Sequence, residues 1–356
     1  MVQKDIRESN VELLRLVVMA FIVLHHFIFH GLGIYRFLVF REPSILPPTH
    51  IDLALVIDSF FIAAVNVFLL ISGYFSIKFK AIGIVKLFSI VSFFAMIGFI
   101  FHLYVDGLTG GGIGSVVRVI QRGVFVFSNK TFWFVQNYFI LMLLSNPINK
   151  FIEISSAQKL RITIITLLFI NVYMGWIRDV TFVTDGYNLT NFIMLYLIGR
   201  YIRLYYHKNI AKKYDVFLFL CSSLMTAILA FVFQHNGFNS FRALCYNSPF
   251  VLISSIALFM LFIKIRLKSK IINYLAASCL SIYLLQDGGI NCYKQIHKLY
   301  EYNGFSLIFW LWISFLFMLS MIIPLFIDKV RLIIFSNIEE KVSYYIDKYV
   351  FSKYLE

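Results

Sequence analysis

The chain is built from stretches of about 20 apolar residues separated by short polar clusters, which is the length an α-helix needs to cross a bilayer. Ten such stretches are read, at 11–30, 51–75, 81–105, 132–149, 160–177, 188–206, 214–234, 247–265, 271–290 and 305–328. Only helices and closed barrels satisfy every backbone polar group in lipid, and runs of this length select the helix. Composition agrees: 60% of the 356 residues are hydrophobic and 14% charged, whereas soluble domains carry about 25% charged residues. The expected fold is an all-α integral membrane protein, a polytopic bundle of about ten transmembrane helices. Residues 1–328 are expected to form its membrane domain and 329–356 a basic, amphipathic cytoplasmic tail. The fourth stretch is short and holds Pro147 near its end, and the ninth carries Gly288 and Gly289, where a bend or break is expected.

A net charge of +14 raises nucleic acid as a partner, but the basic residues sit in clusters between apolar spans rather than in one patch. That pattern is the positive-inside signature. With the N-terminus in the cytoplasm, 23 of the 32 Lys and Arg residues fall in inner segments and nine in outer ones. An even number of spans then leaves both termini inside. The first apolar run lacks a small-residue cleavage site and reads as a retained helix, not a signal peptide. Cys221, Cys245, Cys279 and Cys292 are scattered singly and suggest no disulfide framework. No His/Cys/Asp grouping has metal-ligand spacing, and no glycine-rich phosphate loop suggests ATP-driven transport.

The first span carries the chemistry. Arg15 and His26 lie eleven residues apart, about three helical turns, so both fall on one face about 16 Å apart along the axis. Glu12 and His30 lie near the same line, with Met19 and Ile22 between, while His25 is turned away by about 100°. Ionisable groups inside a span are costly and mark a functional interior by default. The plainer alternative is that Glu12 and Arg15 pair at the inner interface while the histidines cap the outer end. His26 suits a general base, since imidazole exchanges a proton near neutral pH. Arg15 suits an anionic donor, which a guanidinium grips by paired hydrogen bonds.

Between the third and fourth spans, segment 106–131 is expected to face outward. Its Arg118 and Arg122 share a helical face and are either solvated at the interface or turned to a sugar or phosphate. Gly73 is expected to let helices approach closely. Ser72 and Asn66 could bind a ligand or bond between helices. Trp133 and Tyr138 are either interfacial anchors or walls of a sugar site. Asp287 is a further polar candidate.

Taken together, Arg15-x10-His26, PheLeuLeuIleSerGlyTyrPhe at 68–75, TrpPheValGlnAsnTyr at 133–138 leading to SerAsnProIleAsn at 145–149, and LeuSerIleTyrLeuLeuGln at 280–286 resemble the membrane-bound acyltransferase 3 family of bacterial envelope proteins. The resemblance covers essentially the whole chain. It implies a ten-span enzyme of the bacterial plasma membrane that moves an acyl group, acetyl in the first instance, from cytoplasmic acyl-coenzyme A to an envelope sugar, polysaccharide or lipid-linked precursor. Acetyl-CoA would be the donor, without a metal, and partners would be lipid, the sugar acceptor and polysaccharide-biosynthesis proteins. It maps the family's functional histidine to His26, its arginine to Arg15 and its acidic position to Glu12. Two departures stand out. Asn66 replaces an acidic residue, and Lys78, Lys80 and Lys86 stand where many members carry an Arg-x-x-Arg pair. Lys80 and Lys86 can meet donor phosphates as point charges but lack the bidentate fork. The chain resembles the stand-alone type, including the intercellular-adhesin branch. The rival function is a flippase for a lipid-linked sugar, using the same polar stripe as its path.

Overall fold

The computed structural model describes residues 8–105, 112–128, 132–206 and 211–351. In chain order its α-helices are α1 (Ser9–His26), α2 (Ile34–Phe40), α3 (Pro48–Asp58), α4 (Ala64–Phe75), α5 (Ala81–Val105), α6 (Gly112–Val124), α7 (Trp133–Leu143) and α8 (Ser145–Ile154). They continue as α9 (Ala157–Leu168), α10 (Leu189–Tyr205), α11 (Lys212–His235), α12 (Pro249–Ile263), α13 (Lys270–Ala276), α14 (Leu280–Asp287), α15 (Tyr293–Asn303) and α16 (Leu307–Ile346). No strand occurs among the described residues. The chain is an all-α polytopic membrane protein. Six helical stretches are each long and apolar enough to cross a bilayer: Ser9–Gly31, Ala81–Val105, Ala157–Ile177, Lys212–His235, Ser240–Ile263 and Leu307–Val350.

Three of the expected spans are interrupted, and the ninth stops where Gly288 and Gly289 lead a bend or break to be expected. The span at 51–75 is α3 and α4, separated by a turn in which Ser59 donates its hydroxyl back to the Leu55 carbonyl. The span at 132–149 ends at Leu143 and restarts at Ser145. Pro147 explains this, because its ring collides with the carbonyl four residues back, while in a first helical turn it costs nothing. The span at 271–290 breaks between α13 and α14, then stops at Asp287, where Gly289 takes a φ of 102° that glycine adopts without strain.

The chain divides into two compact units. The first takes Met1–Ser76, Phe151–Ala277 and Cys292–Phe317, and α1, α4, α10 and α12 form its centre. Helices α4 and α10 touch backbone to backbone. A Cβ on Gly73 would overlap the Tyr196 carbonyl oxygen, and one on Gly199 would overlap that of Leu70. Without a hydrophobic drive between helices in lipid, small residues that allow such closeness are how spans associate.

One end of this unit is tied by charge. Arg203 of α10 meets Glu8 at 3.2 Å and the Tyr74 hydroxyl at 2.8 Å, Lys264 pairs with Asp215, and Asn10 donates to the Phe262 carbonyl. At the other end Arg242 donates to the carbonyls of Trp176 and Ile177. A cation there satisfies the orphan acceptors that close the π-helical continuation of α9.

The second unit takes Ile77–Lys150, Ser278–Asn291 and Met318–Glu356. Within it Gly98 of α5 lies against the Gly288 carbonyl, where a Cβ would not fit. Helix α16 runs unbroken through residues 328 and 329 despite Pro324. Beyond that point it buries a charged trio. Arg331 donates to Asp328 at 2.7 Å, to Glu339 at 2.5 Å and to Ser89 at 3.2 Å.

Candidate active site

Helix α1 carries the candidate residues, and its start is fixed by side chains. Ser9 accepts the Ser269 amide at 3.0 Å and Asn10 reaches across to α12. One turn on, Arg15 donates to both oxygens of Glu12, at 3.2 and 3.4 Å. Glu12 is buried, while the Arg15 side chain is 34% exposed. Met19 and Ile22 follow, both buried, so the polar stripe is interrupted by packed apolar residues, as its spacing predicts.

At the far end of α1 the two adjacent histidines part. The Nδ1 atom of His25 lies 2.7 Å from Oδ1 of Asp58, a carboxylate with no exposure at all. A carboxylate there holds the proton on Nδ1 and fixes the ring. His26 instead joins a ring cluster, 5.4 Å from His30 and 6.4 Å from Tyr293, the latter perpendicular. His30 reaches Tyr35 and Tyr293 at 5.4 and 5.3 Å. The cluster depends on a π-helical turn, Phe27–Gly31, a widened turn frequent at functional sites.

His25 and His26 both line a cavity of about 10 Å³, with Ile22, Phe61, Ile62, Ala64, Val65 and Tyr246 completing its wall. That is room for about one water. Two titratable rings on one small polar space can pass a proton to or from whatever occupies it.

The other expected site residues separate into the two units. In the first, Asn66 is fully buried and donates to the Tyr246 carbonyl at 2.8 Å. Its amide nitrogen thereby braces the cavity wall. Ser72 donates to the Phe68 carbonyl within its own helix. In the second unit, Lys80 and Lys86 are exposed on and just before α5. Arg118 and Arg122 are exposed on α6, Arg118 donating to the Gly114 carbonyl and Arg122 lying 5.4 Å from the Phe99 ring. Trp133 contacts Phe134, whose ring stacks on Tyr138 at 5.9 Å. Residues 106–111 and 129–131 of the expected outward segment lie outside the described residues.

Asp58, Tyr35, Tyr246 and Tyr293 were not singled out from the sequence. Asp58 had a signal: it is an acid within an apolar run, the same anomaly that marks α1. The tyrosines had none, because 21 tyrosines make any one of them unremarkable.

The described residues form a helical membrane bundle whose first helix carries ionisable groups along a buried span, with two imidazoles lining one small space. The model of the acyltransferase 3 family, an acyltransferase domain, matches residues 8–329, and the chain belongs to that family. It is an acyltransferase. No curated protein and no solved structure matches the chain. Among the described residues no three His, Cys, Asp or Glu side chains are grouped to hold a metal ion.

Proposed function

We propose that this chain is an integral membrane O-acyltransferase of the bacterial plasma membrane. It moves an acetyl group from cytoplasmic acetyl-CoA to a hydroxyl of an envelope or extracellular polysaccharide, or of its lipid-linked precursor. The observation that carries the reading is the arrangement of α1, with an Arg15–Glu12 pair in one half and His26 beside a polar cavity in the other. Arg15 meets the donor's phosphates by charge-assisted hydrogen bonds. His26 takes the proton from the acceptor hydroxyl as its oxygen attacks the thioester carbonyl. The C–S bond breaks, and the proton returns to the departing thiolate. The alternative route passes the acyl group through His26 itself. Glu12 holds Arg15 in place. Asn66 and Ser72 shape the acceptor's path within the first unit, and residues 329–356 stay on the cytoplasmic side.

The test is polymer analysis from a strain lacking the protein. Loss of ester-linked acetyl groups from a polymer that is still exported is expected. Loss of export with acetylation intact would replace the reading by the flippase.

A further inference from the structure

A second, larger cavity opens at the end of the first unit that carries His26, between the loop after α2, the start of α3 and the last turn of α11. It measures about 360 Å³, within the range of sites for small molecules. Phe37, Leu46, Pro48 and Ile51 give it an apolar surface, and Ser44, Asp52, Gln234 and His235 give it hydrogen-bonding groups.

The polar groups are of both kinds. Ser44 Oγ accepts the Leu46 amide at 3.0 Å, which leaves its hydroxyl proton to be donated. Gln234 Oε1 accepts the Ser240 hydroxyl at 2.8 Å, which leaves its NH2 as the donor. Asp52 faces His235 Nε2 at 3.1 and 3.2 Å and keeps further lone pairs as acceptors. No Lys or Arg lines the space, so nothing there offers an anionic ligand a full positive partner apart from a histidine already engaged by a carboxylate. A hydrocarbon chain would leave the Ser44 hydroxyl proton, the Gln234 NH2 and the free Asp52 lone pairs without use. A sugar ring satisfies both surfaces, because each hydroxyl donates and accepts while the ring's C–H face packs on apolar atoms.

We infer that this cavity is a carbohydrate subsite, which holds a neutral sugar residue of the acceptor close to the one acylated. Asp52 and Asp58 are six residues apart on α3, about 9 Å along the axis. Asp58 holds His25 at the smaller cavity, on a side of α3 turned about 120° from Asp52, so the two cavities share that helix. The inference rests on the sugar-acceptor reading above. A glycerol-lipid headgroup shares the hydroxyl chemistry, and the experiment separates the two.

Full-length protein in detergent is titrated with maltose and with N,N′-diacetylchitobiose, followed by saturation-transfer NMR, and binding is repeated in nanodiscs with and without phosphatidylglycerol. At least one disaccharide is expected to bind, about tenfold weaker in Asp52→Ala and in Gln234→Ala, and unchanged in Lys341→Met. Silence from both sugars overturns the inference, as does equal binding by the Asp52 and Gln234 variants at wild-type melting temperature. Binding only to phosphatidylglycerol overturns it in favour of a headgroup site. Sugar binding lost in these variants, in a strain whose polymer never carried acetyl, would leave the subsite standing and remove the acyl-to-sugar reading instead.

Discussion

At the scale of single residues, the neighbouring histidines have different surroundings. His25 is clamped by a fully buried carboxylate, and removing one member of a buried pair costs about 3–5 kcal/mol because the other charge is stranded. His25→Ala is therefore expected to lower the amount of folded protein in the membrane, while the protein that remains transfers acyl groups at a substantial rate. His26→Gln is expected to reach wild-type abundance and to be inactive, since glutamine hydrogen-bonds but accepts no proton near neutral pH. Acylated polymer per unit of membrane protein separates them, and near-normal transfer by His26→Gln would reduce His26 to a positioning residue. Arg15 makes a second test. Arg15→Ala should weaken acetyl-CoA binding more than Arg15→Lys, as measured by titration in detergent; equal affinities would leave it a structural partner of Glu12. What was legible was the expectation that Arg15 and His26 share a face, which needs only helical periodicity within one segment. His25–Asp58 was not, because it joins residues 33 positions apart on helices whose facing sides no local pattern reveals.

At the scale of elements, apolar run length located membrane-crossing helices and the Gly288–Gly289 pair marked one interruption, but the others were not read. Pro147 was visible, yet the decision to stop at Leu143 comes from a collision with a carbonyl rather than from hydropathy. The SerGlyTyr segment was readable as a packing motif, but its partner, the Tyr196 carbonyl, was not. Gly73→Ala is expected to force α4 and α10 apart at a cost of about 1–3 kcal/mol. A fall in melting temperature of the detergent-solubilised protein would register it, and an unchanged melt would mean the helices yield freely. In α16, Arg331→Met should be tolerated less well than Lys341→Met. The first strands Asp328 and Glu339 in a buried setting, whereas the second alters an exposed residue.

At the scale of the whole molecule, orientation rests on charge. The inner segments hold 23 of 32 Lys and Arg residues, so both termini are expected in the cytoplasm. Single cysteines at Ser115 and Ser352, challenged from outside intact cells, should react at the first and not the second. The reverse result would invert the topology. Ser352 lies outside the described residues, so the labelling reads sequence-based topology alone.

The water-sized space beside the two histidines has a consequence for the cell's energy supply. On the proposed reading, the donor arrives from one face of the bilayer and the acceptor from the other. A continuous aqueous route between them, lined by groups that trade protons, would short-circuit the proton-motive force. A void with room for about one molecule of solvent holds no chain of waters by itself, so resting enzyme is expected to leak few protons. Proteoliposomes holding an imposed pH gradient should keep it with the wild-type protein present. Replacing Ile22 by glycine, which widens that space from its apolar side, is expected to speed the gradient's collapse.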